Sequence, residues 1–150
     1  MSLLTVVGVG NSLFCDDGIG NDVVEALAAK NSDSRIEYIV GETDIDGCLS
    51  QIHSQYLVIV DSVRMGKNPG SVQAMPLDNH VLPNESGISM HNQHLLHLLQ
   101  VDFIAEGQLI GIEPYDISLH LGLSDFMKQN FNSIVIQSSQ IILDFLSRLI

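Results

Sequence analysis

The strongest constraint on this chain is its first twenty residues. An apolar run, Leu3 to Val9, flows straight into Gly10-Asn11-Ser12-Leu13-Phe14-Cys15-Asp16-Asp17-Gly18-Ile19-Gly20. An apolar, β-branched run ending in Gly-x-Gly reads as a buried parallel strand feeding a tight turn, the opening of an α/β sheet. Such a turn normally cradles a phosphate, because N–H groups at a helix N-terminus and the helix dipole favour anions. Here two adjacent carboxylates, Asp16 and Asp17, occupy it. They would repel a phosphate and attract a cation, so the turn suits a metal.

Strand-like and helix-like segments then alternate to the end of the chain, which is the α/β pattern. Ile19, Val23, Val24, Leu27 and Ala28 recur at helical spacing up to about Lys30. Arg35 to Val40 alternates sides as a second strand. A short helix follows Thr43-Asp44, either of which can cap it, with Ile45, Cys48, Leu49 and Ile52 on one face. Tyr56 to Asp61 is the clearest buried strand, and a carboxylate ends it. After the turn cluster Gly66 to Gly70, Ser71 to Met75 returns as an edge strand, with antiparallel pairing among its options. Leu77 to Gly87 is the longest irregular stretch and delivers Ser89-Met90-His91. A helix over about His91 to Leu99 and a strand over Gln108 to Ile112 follow, the strand closed by Glu113-Pro114. The tail from Ser124 to Ile150 is helical, with Phe131, Ile134, Val135, Ile141, Ile142, Phe145, Leu146 and Leu149 on one broad face. The expectation is one domain over residues 1–150: a twisted, mostly parallel sheet of about five strands between helices.

Composition removes several classes of function. The net charge is −12, from 6 Lys and Arg against 18 Asp and Glu. Binding to nucleic acid is driven by basic residues neutralising phosphates, so neither nucleic acid nor an anionic membrane surface is an expected partner. No apolar run approaches a membrane span, and Met1-Ser2 lacks the basic start of a signal peptide. Cys15 and Cys48 form neither a disulfide framework nor a Cys-x-x-Cys metal spacing. A cytoplasmic location is expected.

Four residues carry candidate chemistry. Asp16 reads equally as a helix N-cap or as a ligand; Asp17 is harder to explain as a cap, since one cap suffices and a second charge beside it is repelled. Asp61 ends a strand apolar on both faces, at the carboxyl edge where open α/β sheets bind ligands, though it can also cap the next segment. Of His91, His94 and His97, the first sits at a helix start after a loop long enough to reach that edge. The other two are read as surface or helix-end residues. There is no His-Glu-x-x-His zinc motif, no Gly-x-Ser-x-Gly elbow and no P-loop lysine, and Gly8-Val9-Gly10 lacks the third glycine of the dinucleotide fingerprint. A thiol nucleophile at Cys15 is disfavoured, because flanking carboxylates raise a thiol pKa.

The segment Gly8-x-Gly10-Asn11-x-Leu13-x-x-Asp16-Asp17-Gly18-x-Gly20 resembles the signature of the [NiFe]-hydrogenase maturation endopeptidases. Leu57 to Asp61, Ser89-Met90-His91-Asn92-Gln93, and Gly111-Ile112-Glu113-Pro114 followed by Leu121-Gly122-Leu123 agree in order, so the resemblance covers nearly the whole chain. It implies an endopeptidase that removes the C-terminal extension of a hydrogenase large-subunit precursor after nickel insertion. It further implies that Asp17, Asp61 and His91, as metal ligands and catalytic residues, converge on nickel supplied by the precursor. Two carboxylates and an imidazole suit a borderline divalent ion, so zinc or cadmium would fit in vitro. The implied state is a monomer. Three positions depart from the family pattern: Ser62 where alanine is common, Gly41-Glu42-Thr43 in place of Gly-Gly-Thr, and Asn92 where glutamine or aspartate often follows the histidine.

Two readings compete with a processing endopeptidase. One is a non-catalytic, chaperone-like protein that binds a nickel centre without cutting; the other is a nucleotide-binding α/β protein using Gly8-Val9-Gly10. Two structural expectations accompany the leading reading. Asp16 caps the helix beginning near Gly18, so that Asp16→Asn costs about 1 kcal/mol or less, and Asp17 points to the crevice.

Overall fold

A computed structural model describes residues 2–77 and 106–150. The opening apolar run forms β1 (Leu4–Val9), every residue of which is buried. A 3-10 turn over Cys15–Gly18 leads into α1 (Ile19–Lys30), then β2 (Ile36–Glu42), α2 (Ile45–Gln51), β3 (Tyr56–Ser62), β4 (Val72–Pro76), β5 (Glu106–Ile112) and α3 (Asp125–Arg148). The sheet order is β2-β1-β3-β5-β4. Pairing is parallel for β1 with β2, β1 with β3 and β3 with β5, and antiparallel for β4 with β5. The mostly parallel five-stranded sheet with an antiparallel edge is therefore present.

Alternation along the strands sorts the core into two layers. Leu4, Val6, Val58, Val60, Ile110 and Ile112 meet α1 through Ile19, Val23, Val24 and Leu27, and meet α3 through Met127, Ile134, Ile142 and Phe145. Val7, Val9, Ile39, Leu57, Ile59 and Leu109 face the opposite way, against Cys48 and Ile52 around α2. The side chains of Ile45 and Leu49, expected beside Cys48, lie outside the described residues. So do the helix expected from His91 to Leu99 and the irregular stretch beyond Leu77.

Helix α1 lies unusually close to the sheet. A Cβ on Gly20 would stand 2.1 Å from the Val60 carbonyl oxygen, and one on Gly8 would stand 2.5 Å from the Gly20 carbonyl oxygen. Two glycines thus let the backbone of α1 rest on β1 and β3. Helix α3 matches its expected face: Ile134, Val135, Ile142, Phe145 and Leu146 are buried. Its start is set by Ser124, whose hydroxyl oxygen accepts the Met127 N–H at 3.3 Å. Both β2 and β5 extend about two residues beyond the spans that alternation suggests. The residues added to β5, Glu106 and Gly107, pair with Tyr56 and Leu57, so tertiary pairing sets that end rather than local pattern.

Candidate active site

The chain leaves β1 toward β2 on one side, and β3 lies against β1 on the other. The crevice at the carboxyl ends of β1 and β3 is therefore the topological switch point, where open α/β sheets hold their ligands. Asp17 follows β1 and Asp61 lies at the end of β3, so both candidate carboxylates come to this edge.

Backbone geometry delivers Asp17 there. Gly10 has φ +139°, and a Cβ on it would stand 2.0 Å from the Asp17 carbonyl oxygen, so only glycine lets the turn fold back on itself. The half-buried Asp17 carboxylate then accepts the Asn11 N–H on Oδ2 at 2.9 Å and the Ser62 hydroxyl on Oδ1 at 3.2 Å. This second bond ties the first loop to the residue next to Asp61. Asp61 itself is fully buried, with its Cα paired to that of Gly111 on β5. A third link comes from buried Asn21 on α1: its amide donates to the Gly10 carbonyl at 2.9 Å, and its oxygen accepts the Glu42 N–H at 3.0 Å. The ends of β1 and β2 are held together in this way. His91, the third residue expected at the site, lies outside the described residues. Among the described residues no group of three His, Cys, Asp or Glu side chains could hold a metal ion.

Asp16 departs from its expected role. The turn begins after Phe14 and α1 after Gly18, and neither N-terminus has a side-chain cap. Asp16 is instead fully buried and receives donors from about a hundred residues away. Its Oδ2 accepts the Tyr115 N–H at 3.1 Å, the Asp116 N–H at 2.9 Å and the Ser124 hydroxyl at 2.8 Å, and its Oδ1 accepts the Ser124 N–H at 2.8 Å. Main-chain bonds from Cys15 to His120 and from Asp16 to Asp116 complete the seam. Asp16 is structural, but it anchors a distant loop and the start of α3 rather than its own helix. Local spacing carries no signal for such a partner.

Sequence reasoning also missed Glu113, which is 5% exposed. Its Oε1 accepts the Met65 N–H at 2.7 Å and the Lys67 N–H at 3.0 Å. The available signal was a charged residue directly after an apolar strand, beside a proline. Cys15 is buried, and both that burial and the Asp16 carboxylate push its thiol up, which leaves it a poor nucleophile. Asp116, on the anchored loop, is held below the usual carboxylate range by the Ser118 N–H, with His120 and Arg64 adding to the effect. Glu42, the departure noted above, has φ +53°, a left-handed conformation that disfavours a side chain. Glu42→Gly should therefore raise stability by ~1 kcal/mol or less, after the entropy of an added glycine is subtracted. Urea unfolding measures it, and a loss of stability of that size would contradict the strain.

One part of the rim of the edge is apolar. Phe14 and His120 form an isolated parallel bridge, and their neighbours Leu13, Leu119 and Leu121 are exposed, the last two at 78% and 76%. A separate groove of about 470 Å³ between α1 and α3 is lined by Asp22, Glu25, Ala26, Leu123 and Phe131 among others, and by none of the site residues. Among the described residues no helix is long and apolar enough to cross a membrane.

Comparisons with known proteins identify relatives of the chain and of its fold. The family model HycI, hydrogenase maturation protease, matches residues 22–141, a span that includes Asp61 and His91 and starts just after Asp17. The hydrogenase 3 maturation protease of Escherichia coli K12 is 28% identical over 125 residues, covering 80% of this chain and 78% of that protein. A putative hydrogenase maturation protease of Methanocaldococcus jannaschii is 29% identical over 102 residues, 65% of each chain, so the match spans slightly under two thirds of that relative. Among solved structures, the hydrogenase maturating endopeptidase HybD from E. coli superposes with a TM-score of 0.77 at 26% identity, covering 96% of this chain and 93% of that one. HybD from Thermococcus kodakarensis shares the fold at a TM-score of 0.75 and 24% identity, covering 94% and 99%. The chain belongs to the hydrogenase maturation protease family.

Proposed function

We propose that this protein is the endopeptidase that removes the C-terminal extension of a [NiFe]-hydrogenase large-subunit precursor once nickel is in place, acting in the cytoplasm as a monomer. The observation that carries the reading is the Ser62–Asp17 hydrogen bond, which holds the first-loop carboxylate against the end of the strand that bears Asp61. Two carboxylates at a switch point supply hard oxygen donors, and neutral His91 would add a nitrogen. That donor set fits a borderline divalent ion and leaves positions open for the precursor's own ligands. Nickel belongs to the substrate here, and zinc or cadmium would occupy the same donors in vitro. Held by Asp17, Asp61 and His91, it would place a Lewis acid beside the peptide bond to be cut.

The chain's own residues orient that assembly. Asn11 and Ser62 each donate to one oxygen of Asp17, which fixes the plane of its carboxylate. Asn21 locks the first loop to the end of β2. The exposed leucines beside the edge suit a polypeptide substrate better than a small charged molecule.

Incubation with nickel-loaded and nickel-free precursor, followed by intact-mass measurement, tests the reading. The expected result is a shortened large subunit only in the nickel-loaded sample. Binding of loaded precursor without any change in its mass would replace the endopeptidase with a non-catalytic nickel-centre-binding protein.

A further inference from the structure

Three loops frame the carboxylate edge, and side-chain hydrogen bonds close them into a ring. Asp16, on the loop after β1, holds the loop after β5 through Tyr115, Asp116 and Ser124. Glu113, at the root of the loop after β5, holds the loop after β3 through Met65 and Lys67. Ser62, at the end of β3, returns to Asp17 on the loop after β1. Residues 63–71 turn from the central strand β3 toward the edge strand β4, and Gly66 and Gly70 both have left-handed φ, +72° and +86°.

The main chain of Glu113 grips the same loop. Its N–H donates to the Ser71 carbonyl at 2.9 Å, and its carbonyl accepts the Gly70 N–H at 2.8 Å. The buried carboxylate reaches the other end, accepting two N–H groups within six residues of Asp61. Bonds to a charged acceptor are stronger than neutral ones. Without them, Met65 and Lys67 would lose a partner, and between the Val63 N–H bond to the Ile112 carbonyl at its start and the Glu113 main chain at its far end the loop would lose both of its bonds to the Glu113 side chain.

We propose that Glu113 is a positioning residue for the reaction: by holding Met65 and Lys67 it fixes the exit of β3, and with it the placement of Asp61 and Ser62 at the carboxylate edge. This inference rests on the endopeptidase reading above. A displacement of about 1 Å at a reacting group costs up to ~10²-fold in rate, so the effect should appear in kcat more than in KM.

The test compares Glu113→Ala, Glu113→Gln and Glu113→Asp with the wild type on nickel-loaded precursor, alongside amide hydrogen exchange at Met65 and Lys67. Glu113→Ala should lower kcat by ~10-fold or more with KM within about twofold, and should speed exchange at both amides. Glu113→Gln keeps the accepting oxygen and should restore most of kcat and of the protection. Glu113→Asp keeps the charge but is one methylene short; it should resemble Glu113→Ala, and it decides the case should the alanine variant not fold. Wild-type kcat in the alanine or aspartate variant, or a glutamine variant as slow as alanine with both amides protected, would overturn the proposal. A wild-type protein that leaves loaded precursor uncut would overturn the endopeptidase reading instead. The clamp itself would still be decided by the exchange rates.

Discussion

Asp17→Asn and Asp61→Asn should each reduce precursor cleavage by ~10²-fold or more while leaving a folded protein. A carboxylate that meets a divalent centre contributes several kcal/mol through its charge, and ~2.7 kcal/mol already corresponds to 10²-fold. The cost to folding should be small by comparison. Asp17 is half-buried and accepts two hydrogen bonds, one of which an amide oxygen can keep, so about 1 kcal/mol is expected. Asparagine at position 61 keeps the shape of the fully buried side chain and one of its two oxygens. Single-turnover cleavage followed by mass, with thermal unfolding run in parallel, separates the two effects. A well-folded variant at either position that cuts at the wild-type rate would remove that carboxylate from the site.

Asp16→Asn should behave in the opposite way, with a large loss of stability. The expectation from sequence was a helix cap worth about 1 kcal/mol or less. The structure shows one buried carboxylate receiving four donors from Tyr115, Asp116 and Ser124. An amide has only one oxygen, so its NH2 must face the Ser124 N–H or the three donors that meet Oδ2. Bonds to a charged group are worth ~1.5–3 kcal/mol each, and a buried donor left unmet costs ~1–3 kcal/mol. About 3 kcal/mol is therefore expected, with the 113–124 loop and the start of α3 loosened first. Urea unfolding measures the loss, and amide exchange at Tyr115, Asp116 and Ser124 locates it. A loss below ~1 kcal/mol with those amides still protected would return Asp16 to the cap role.

What sequence could reveal divides along the range of the interactions involved. The strands were legible because burial on both faces writes itself as continuous apolar runs, as in Leu57 to Val60, and α3 because its apolar face recurs at helical spacing. Asp17 and Asp61 were legible as residues of the carboxyl edge because one lies in the turn that follows a buried strand and the other lies at the end of one. Asp16 and Asp17 look alike in sequence. What separates them is that one meets residues 115–124 and the other meets Ser62. Glu113 was hidden for the same reason, since its partners lie 46 and 48 positions away. The left-handed backbone at Glu42 had a trace in sequence, in that a side chain stands where the family usually has glycine.

On the proposed reading, this edge recognises nickel in the precursor rather than the polypeptide alone. Titrating the protein with nickel-loaded and with nickel-free precursor measures that directly. Ligands supplied by Asp17, Asp61 and His91 should make the loaded precursor bind at least ~10-fold tighter, a difference of about 1.4 kcal/mol. His91→Ala should shrink that ratio without changing affinity for the empty form. Equal affinity for loaded and empty precursor would contradict the account.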